Sequence, residues 1–190
     1  MNIAGITTVA LGLLAATTLA GPAAAQKVLK VVPHADLRVL DGYQTTATIT
    51  AMHMAAVYDT LFGWDINMEA KPQMVENYTV SPDKLTYTMT LRPGLKFHDG
   101  SPVTSKDVVA SVKRFVQRES LGRTLEGFLA KIEGPDDKTV VMTLKEPFGF
   151  ALFSMSGINQ AGGIYREKEA MIDPATPITE TIGSGPFRFN

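Results

Sequence analysis

The side chains in this sequence that are best suited to metal binding are three histidines, His34, His53 and His98. A helical metal site needs a second histidine or a carboxylate three or four residues away, so that both ligands share one face. None of the three histidines has such a neighbour at the i+3 or i+4 position. We therefore expect each histidine to be a core or solvated residue, and the sequence predicts no metal ligand.

The patterns of common nucleophilic enzymes are also missing from the sequence. It contains no cysteine and no Gly-x-Ser-x-Gly elbow, so neither a cysteine nucleophile nor a serine hydrolase triad has an anchor. Two adjacent acids, Asp136-Asp137, precede a predicted strand, where solvated turn capping is their ordinary role. We predict no catalytic residue, and no cofactor is expected.

A glycine-rich segment, Gly183-Ser184-Gly185-Pro186, allows two interpretations. Successive backbone amides in such a segment can form a nest for a phosphate. A lone Gly-Ser-Gly without a following lysine and helix is a weak phosphate signal, however. A structural role for the segment is therefore favoured over phosphate binding.

Composition excludes several classes of protein. The chain has 190 residues, with 18 Lys and Arg against 19 Asp and Glu, and a net charge of −1. A protein that binds nucleic acid through its charge needs a basic surplus to displace the phosphate counterions, so no nucleic-acid partner is expected. The absence of cysteine excludes disulfides, thiolate metal sites and a lipid anchor on a cysteine thiol.

Residues 1–25 resemble a secretory signal peptide rather than part of the fold. They carry no Asp, Glu, Lys or Arg, and an apolar run from Val9 to Ala20 is followed by Gly21-Pro22 and by Ala23-Ala24-Ala25. An apolar core followed by small residues predicts cleavage after Ala25. A membrane anchor is the alternative, but a span needs about 20 strongly apolar residues, and this stretch is interrupted by glycine and proline. We expect an exported, soluble chain with no membrane insertion after cleavage.

Apolar periodicity predicts the elements of the first half of the chain. Val28–Val32 is an apolar run that predicts a buried strand. Apolar residues at helical intervals predict a helix from Ile49 to Phe62, with Gly63 as its stop. Met74–Leu91 is predicted to be β structure, because apolar residues alternate with threonines towards its end.

The best-defined helix begins after Thr104, which heads a capping-box-like start. Lys113 and Arg114 are expected near its C-terminal end, where the helix dipole favours cations. Its apolar stripe consists of Val108, Val109, Val112, Phe115 and Val116.

Further elements are predicted towards the end of the sequence. Thr139–Leu144 reads as a strand, and Phe148–Met155 is apolar enough for a short buried helix. Apolar and polar residues alternate over Phe187–Phe189 as at the start of a strand, and the given sequence ends at Asn190. A strand cut so short lacks its partner, so we expect the sequence to be the front part of a longer protein.

A specific motif lies between Tyr87 and Arg114. An alternating strand is followed by Leu-Arg-x-Gly-x-x-Phe-x-Asp-Gly, then by Pro-x-Thr and a helix that starts with Asp-Val. The matching residues are Leu91, Arg92, Gly94, Phe97, Asp99, Gly100, Pro102, Thr104, Asp107 and Val108. With its flanking segments, including Val57–Leu61, this block closely resembles family 5 extracellular solute-binding proteins, the dipeptide, oligopeptide and nickel-type receptors of ABC importers.

The resemblance implies an α/β, periplasmic binding protein-like fold of the bilobal class II (cluster C) type, of which only the N-terminal part is present. Residues 26–47 would start lobe I, residues 48–178 would form the inserted α+β lobe of the family, and residues 179–190 would return into lobe I. The family usually has Leu-Asp-Pro where this chain has Leu40-Asp41-Gly42. Glycine leaves the backbone of this turn more conformational freedom than proline, which fixes the φ angle.

The function implied by the resemblance is that of a monomeric periplasmic receptor which is not an enzyme. It would capture a di- or oligopeptide, or a similar small polar ligand, between two lobes and deliver it to ABC permease subunits. A receptor for a nickel chelate, an opine, glutathione or an oligosaccharide is the alternative within the family. An exported hydrolase, a chemosensory adaptor or a scaffold complete in 190 residues are alternatives of other classes.

The same resemblance places four residues at the ligand, namely Asp36, Thr46, Asn159 and Gln160. Asp36 could hold a peptide α-ammonium, because a partly buried acid needs a cationic partner. The alternative, that Asp36 caps a turn, is the more common role of such a residue.

Overall fold

The computed structural model describes residues 30–45, 47–118, 120–156, 162–173 and 175–190. Residues 33–190 form one unit, and only residues 30–32 of the preceding unit are described, without helix or strand. The predicted signal peptide and Val28 lie outside the described residues. Of the strand predicted for Val28–Val32, only residues 30–32 are described, and they do not form a strand.

The elements follow one another in a mixed α/β order. The helices are α1 (Thr48–Val57), α2 (Ser105–Arg118), α3 (Ser120–Phe128) and α4 (Glu167–Ala170), with one 3₁₀ turn at Phe153–Met155. The strands are β1 (Phe62–Trp64), β2 (Ala70–Pro72), β3 (Val75–Val80), β4 (Thr86–Leu91), β5 (Leu129–Glu133) and β6 (Thr139–Leu144).

An antiparallel sheet of four strands, in the order β3-β4-β6-β5, carries the core. On β4 and β6 every second residue is buried, and Met89 lies opposite Val140 while Tyr87 lies opposite Met142. This period of two follows directly from the alternation of side chains across a strand. The predicted β structure of Met74–Leu91 and the predicted strand Thr139–Leu144 are thereby confirmed.

Helix α2 packs against β5 and β6. Val108, Val112 and Phe115 of its predicted stripe are at most 3% exposed, and burial of each such side chain contributes about 1.5–3 kcal/mol. The side chain of Asp107 accepts hydrogen bonds from the backbone amide and the hydroxyl of Thr104, both at 2.8 Å. The predicted capped start of this helix is confirmed.

The first helix is shorter than predicted. It ends at Val57, because Tyr58 is already extended (φ −116°, ψ 138°), and Gly63 lies inside β1 rather than at a helix stop. Strand pairing explains the difference, since Phe62 and Trp64 pair with Pro72 and Ala70 of β2. The apolar periodicity continues beyond the helix, so the predicted C-terminal end of the helix was wrong.

Two later predictions also differ from the structure. Of the helix predicted for Phe148–Met155, only the 3₁₀ turn at Phe153–Met155 forms. Phe187 and Phe189 form no strand and are 66% and 48% exposed. The backbone amide of Phe187 instead donates to the carbonyl of Ala56 at 3.1 Å, one of the carbonyls that the end of α1 leaves open.

Arg114, which is expected near the C-terminal end of α2, is buried in the structure. Its guanidinium is 0% exposed and donates to the Asp41 carboxylate, which is 1% exposed, at 2.8 Å. The same guanidinium donates to the carbonyls of Ile172 (2.6 Å) and Thr176 (3.0 Å). The amide of Ile178 donates to the same carboxylate at 3.2 Å. One buried ion pair thus joins the 33–47 segment, α2 and the 172–178 segment.

Replacing Arg114 tests this connection. In Arg114→Met the Asp41 carboxylate stays buried without its cation, and we expect the free energy of unfolding to fall by about 3–5 kcal/mol. Lys113→Met removes the same charge from the neighbouring exposed position and should change it by less than about 0.5 kcal/mol. Urea unfolding measures both values. Equal losses in the two variants would contradict the assigned role of the pair.

Candidate functional site

A cavity of about 230 Å³ opens beside α1, between that helix, the turn before it and the β1 strand. Its lining comes from segments far apart in the sequence, which only the fold brings together. The described lining residues are Gly42, Tyr43, Thr45, Ala51, Met54, Ala55, Tyr58, Thr60, Gly63, Trp64, Gln73, Ser156 and Gly163. None of these carries a charged side chain.

The apolar part of the wall comes from α1 and β1. Ala51, Met54 and Ala55 recur on one side of α1 because residues three and four apart share a helix face. Across the cavity, the indole of Trp64 stacks on the ring of Phe153, with 4.7 Å between centroids and 18° between planes. Trp64 is the single tryptophan of the sequence.

Three tyrosines pack together at the wall of the cavity, with Tyr43 and Tyr58 in the lining and Tyr165 behind them. The rings of Tyr43 and Tyr58 lie 5.2 Å and 4.5 Å from the ring of Tyr165. Burial raises the pKa of Tyr165, and it also raises the pKa of Tyr58, with the nearby Asp41 carboxylate as a smaller cause. Both phenols therefore stay neutral at physiological pH, and the cavity is backed by uncharged rings.

Asp59 lies between two lining residues, Tyr58 and Thr60, in the sequence, and its carboxylate contacts protein groups. Its Oδ1 accepts from the amide of Gln73 at 2.9 Å. Burial raises the pKa of Asp59, while Ser184, His98 and Gln73 act in the opposite direction. Gln73 thus shields this carboxylate at the edge of the cavity.

The turn ahead of α1 departs from the family pattern at Gly42, and the structure shows the consequence. A Cβ atom at this position would lie 3.1 Å from Cε of Met54. Any larger residue there would press on the methionine that lines the cavity. Gly42 therefore leaves room for Met54 at the wall.

The glycine-rich segment 183–186 supports the other end of α1. A Cβ on Gly183 would lie 1.9 Å from the carbonyl oxygen of Val57, and the amide of Gly185 donates to that oxygen at 2.9 Å. His98 holds the segment from the opposite side, because its Nε2 lies 2.8 Å from the carbonyl oxygen of Gly185. With the Gly185 amide already engaged, the observed contacts support the structural role over a phosphate nest.

The predicted ligand residues fall in two groups. Asp36 is exposed and is not part of the cavity lining, so its interaction with a ligand stays a prediction. Thr46, Asn159 and Gln160 lie outside the described residues. Their described neighbours Thr45 and Ser156 do line the cavity.

Several lining residues were not predicted as site residues. Met54 was missed because it lies in a predicted helix that was not assigned to the site, and Trp64 because it follows the predicted helix stop at Gly63. Trp64 had one available signal, since it is the single tryptophan of the sequence. Tyr43 had none, because only the tertiary fold brings it to the wall.

The histidines and the helices of the described chain add two observations. Among the described residues, no group of three or more His, Cys, Asp or Glu side chains is placed to hold a metal ion. His53 instead contacts the carbonyl oxygen of Ile49 through Nδ1 at 2.7 Å. Within the same described ranges, no helix combines the length and apolar character needed to cross a bilayer.

Comparison with known proteins shows the protein family to which the chain belongs. Residues 69–190 match the family of bacterial extracellular solute-binding proteins, family 5 Middle. The chain is 48% identical over 155 residues to a probable peptide ABC transporter periplasmic-binding protein, y4tO, of Sinorhizobium fredii, covering 82% of this chain and 29% of that protein. It is 40% identical over 137 residues to the glutathione-binding protein GsiB of Salmonella typhi, covering 71% of this chain and 27% of that protein.

Solved structures agree with the predicted fold. The binding protein AgaA of A. tumefaciens R10, in complex with agropinic acid, superposes with a TM-score of 0.69 at 32% identity, over 80% of this chain and 31% of that one. The oligopeptide-binding protein AppA of Bacillus subtilis gives a TM-score of 0.67 at 21% identity, over 82% of this chain and 32% of that one, a likeness of fold alone. The chain spans about 29% of the length of y4tO. The predicted α/β, periplasmic binding protein-like fold is confirmed.

The packing of Gly183 is open to a direct test. In Gly183→Ala the new methyl group would overlap the backbone of Val57, and we expect a loss of stability of about 1–3 kcal/mol. Gly127→Ala is the matched control, because a Cβ at this α3 position meets nothing within 4 Å and should stabilise the helix by about 0.5–1 kcal/mol. Thermal unfolding of both variants should shift in opposite directions. Shifts of the same sign would contradict the close approach.

Asp99, in the turn next to His98, predicts a pH dependence of stability. Hydrogen bonds from the hydroxyl and amide of Ser101, and then the Arg166 guanidinium, lower the pKa of Asp99. Because the folded-state pKa lies below the unfolded value of about 3.9, its contribution to stability is full above that pH and is lost as the pH falls towards the folded-state pKa.

Asp99→Asn removes this contribution, so the difference in stability from wild type should be largest near pH 6 and should shrink towards pH 3. Asp137→Asn, another exposed position, serves as the control. Urea midpoints across this pH range measure the effect. A difference that is constant with pH would contradict the assignment.

Proposed function

Because the chain belongs to family 5 of the bacterial extracellular solute-binding proteins, we propose that it captures a di- or oligopeptide and delivers it to the permease of an ABC importer. The observation that carries this proposal is the uncharged cavity beside α1, whose lining residues Thr45 and Ser156 are close in the sequence to residues predicted to face the ligand. The similarity to the probable peptide-binding protein y4tO favours a peptide as the ligand.

Capture in this proposal depends on two lobes that close around the ligand. Binding selects the closed form, and the permease recognises that form. Residues 26–47 and 179–190 would belong to one lobe, with residues 48–178 inserted as an α+β lobe. The cavity wall would be the contribution of this chain to the ligand site, with Thr46, Asn159 and Gln160 facing the ligand beside Thr45 and Ser156.

The remaining parts of the proposal concern location and chemistry. Residues 1–25 would direct export and be removed, leaving a monomeric receptor in the periplasm without a membrane anchor. Both of these relatives are named as binding proteins, and y4tO as that of a probable peptide ABC transporter. We therefore assign the chain no catalytic role.

A second candidate ligand has specific support. GsiB of Salmonella typhi binds glutathione, itself a modified tripeptide, and is 40% identical over the matched region. A glutathione receptor would use the same cleft and the same delivery to a permease. It differs from a general peptide receptor in the charges of its ligand, which carries two carboxylates.

The proposal is tested by identifying what the full-length protein carries. The protein would be purified from periplasmic extract without denaturation, and the released ligand analysed by mass spectrometry. We expect a peptide, recovered intact after long incubation with the protein. Recovery of a sugar, an opine or a metal chelate without any peptide would overturn the peptide proposal, and cleaved peptide would overturn the absence of catalysis.

A further inference from the structure

The cavity beside α1 has an unusual chemical character for a receptor of charged ligands. Its described lining contains no lysine, arginine, histidine, aspartate or glutamate. A carboxylate or ammonium group placed there would lose its water without gaining a counter-ion, which is strongly unfavourable. The part of a ligand that enters this cavity must therefore be uncharged.

Several polar side chains of the wall already have hydrogen-bond partners within the protein. The Thr60 hydroxyl donates to Gln73 Oε1 at 2.6 Å, and the Gln73 amide donates to Asp59. The Tyr43 hydroxyl donates to the carbonyl of Gly163 at 3.2 Å, and the Ser156 hydroxyl donates to the carbonyl of Leu152. Groups already paired in this way offer little hydrogen bonding to a ligand.

Two further polar atoms are shielded from the cavity. The Tyr58 hydroxyl and Trp64 Nε1 lack hydrogen-bond partners within the described residues, yet both atoms are buried from solvent. Because both atoms are buried, a ligand atom would meet the carbon surfaces of these rings instead. The wall therefore offers dispersion contacts and apolar burial.

The size of the cavity matches a single large side chain. Its volume is about 230 Å³, whereas an apolar cavity of about 150 Å³ is large enough to bind benzene. Trp64 lines one side with Phe153 stacked on its ring, and the ring of Phe150 meets Phe153 edge to face at 5.9 Å. Aromatic rings held in this way form a firm surface for another ring.

We infer that this cavity is a subsite for one uncharged, apolar side chain of the bound peptide, of the size of phenylalanine or leucine. The inference rests on the proposed function and adds a ligand preference to it. Ligands whose inserted group is acidic, such as a glutamate side chain, are excluded from the subsite by the missing counter-charge. Any ligand carboxylate must be bound by other parts of the protein.

The test measures tripeptide binding to the full-length protein by isothermal titration calorimetry. Phenylalanine is placed in turn at each position of Ala-Ala-Ala, and glutamate is then placed at the position where phenylalanine binds best. Burial of one phenyl group predicts that the best phenylalanine peptide binds about 10- to 100-fold more tightly than Ala-Ala-Ala. The matching glutamate peptide should bind no better than Ala-Ala-Ala.

A cavity-filling variant locates the preference. Ala55 lines the cavity from an exposed position on α1, so Ala55→Phe fills the space without disturbing the core. This variant should lose the preference for phenylalanine by about tenfold. Met52→Phe is the matched control, since Met52 lies on the same helix, is 59% exposed and is not part of the lining. It should keep the preference.

The outcomes separate this inference from the proposed function. If phenylalanine and glutamate peptides bind equally well, or if Ala55→Phe keeps the preference, the subsite is refuted while peptide binding stands. If no tripeptide binds but agropinic acid does, the proposed peptide function itself is overturned. The preference of the wild-type protein is a separate readout, so the inference stays testable even if Ala55→Phe folds poorly.

Discussion

The buried ion pair of Asp41 and Arg114 connects the turn before α1 with α2 and with the segment that follows α4. Removing both charges from water is costly, and hydrogen bonds from other groups offset much of that cost, although Arg114 Nε has no partner among the described residues. The Tyr43 amide donates to the Asp41 carboxylate at 3.0 Å, and carbonyls of the 172–178 segment accept from the guanidinium. An arginine suits this position because its planar fork reaches several oxygens at once. The turn that precedes α1 is thereby fixed relative to α2.

The cavity inherits its shape from that constraint. Tyr43 follows the ion pair by two residues and contributes its ring to the wall, while Tyr165 packs against Tyr43 and Tyr58 from behind. The charges of the buried Asp41–Arg114 pair lie behind these rings and neutralise each other. The ligand side of the same region is left with apolar and neutral surfaces. A single arrangement thus separates a charged interior contact from an uncharged cavity.

The block of sequence that identifies the family mostly builds the scaffold. Leu91 packs in the sheet, Asp107 caps α2 and Arg114 closes the ion pair. The cavity is lined instead by residues outside that block, such as Trp64 and Met54. This division explains why the motif indicates the family with high specificity but carries no information about the ligand. Ligand preference has to be argued from the lining.

Elements whose pattern is local could be predicted from the residues alone. The alternation in β4 and β6 and the capped apolar stripe of α2 could be predicted, because burial on one face imposes a period on the residues nearby. Tertiary structure decided what depends on distant partners. The end of α1 followed from the pairing of β1 with β2, and the burial of Arg114 followed from a carboxylate 73 residues away. Periodicity reports which face of an element is apolar but not which distant residue meets it, and the cavity wall exists only through such meetings.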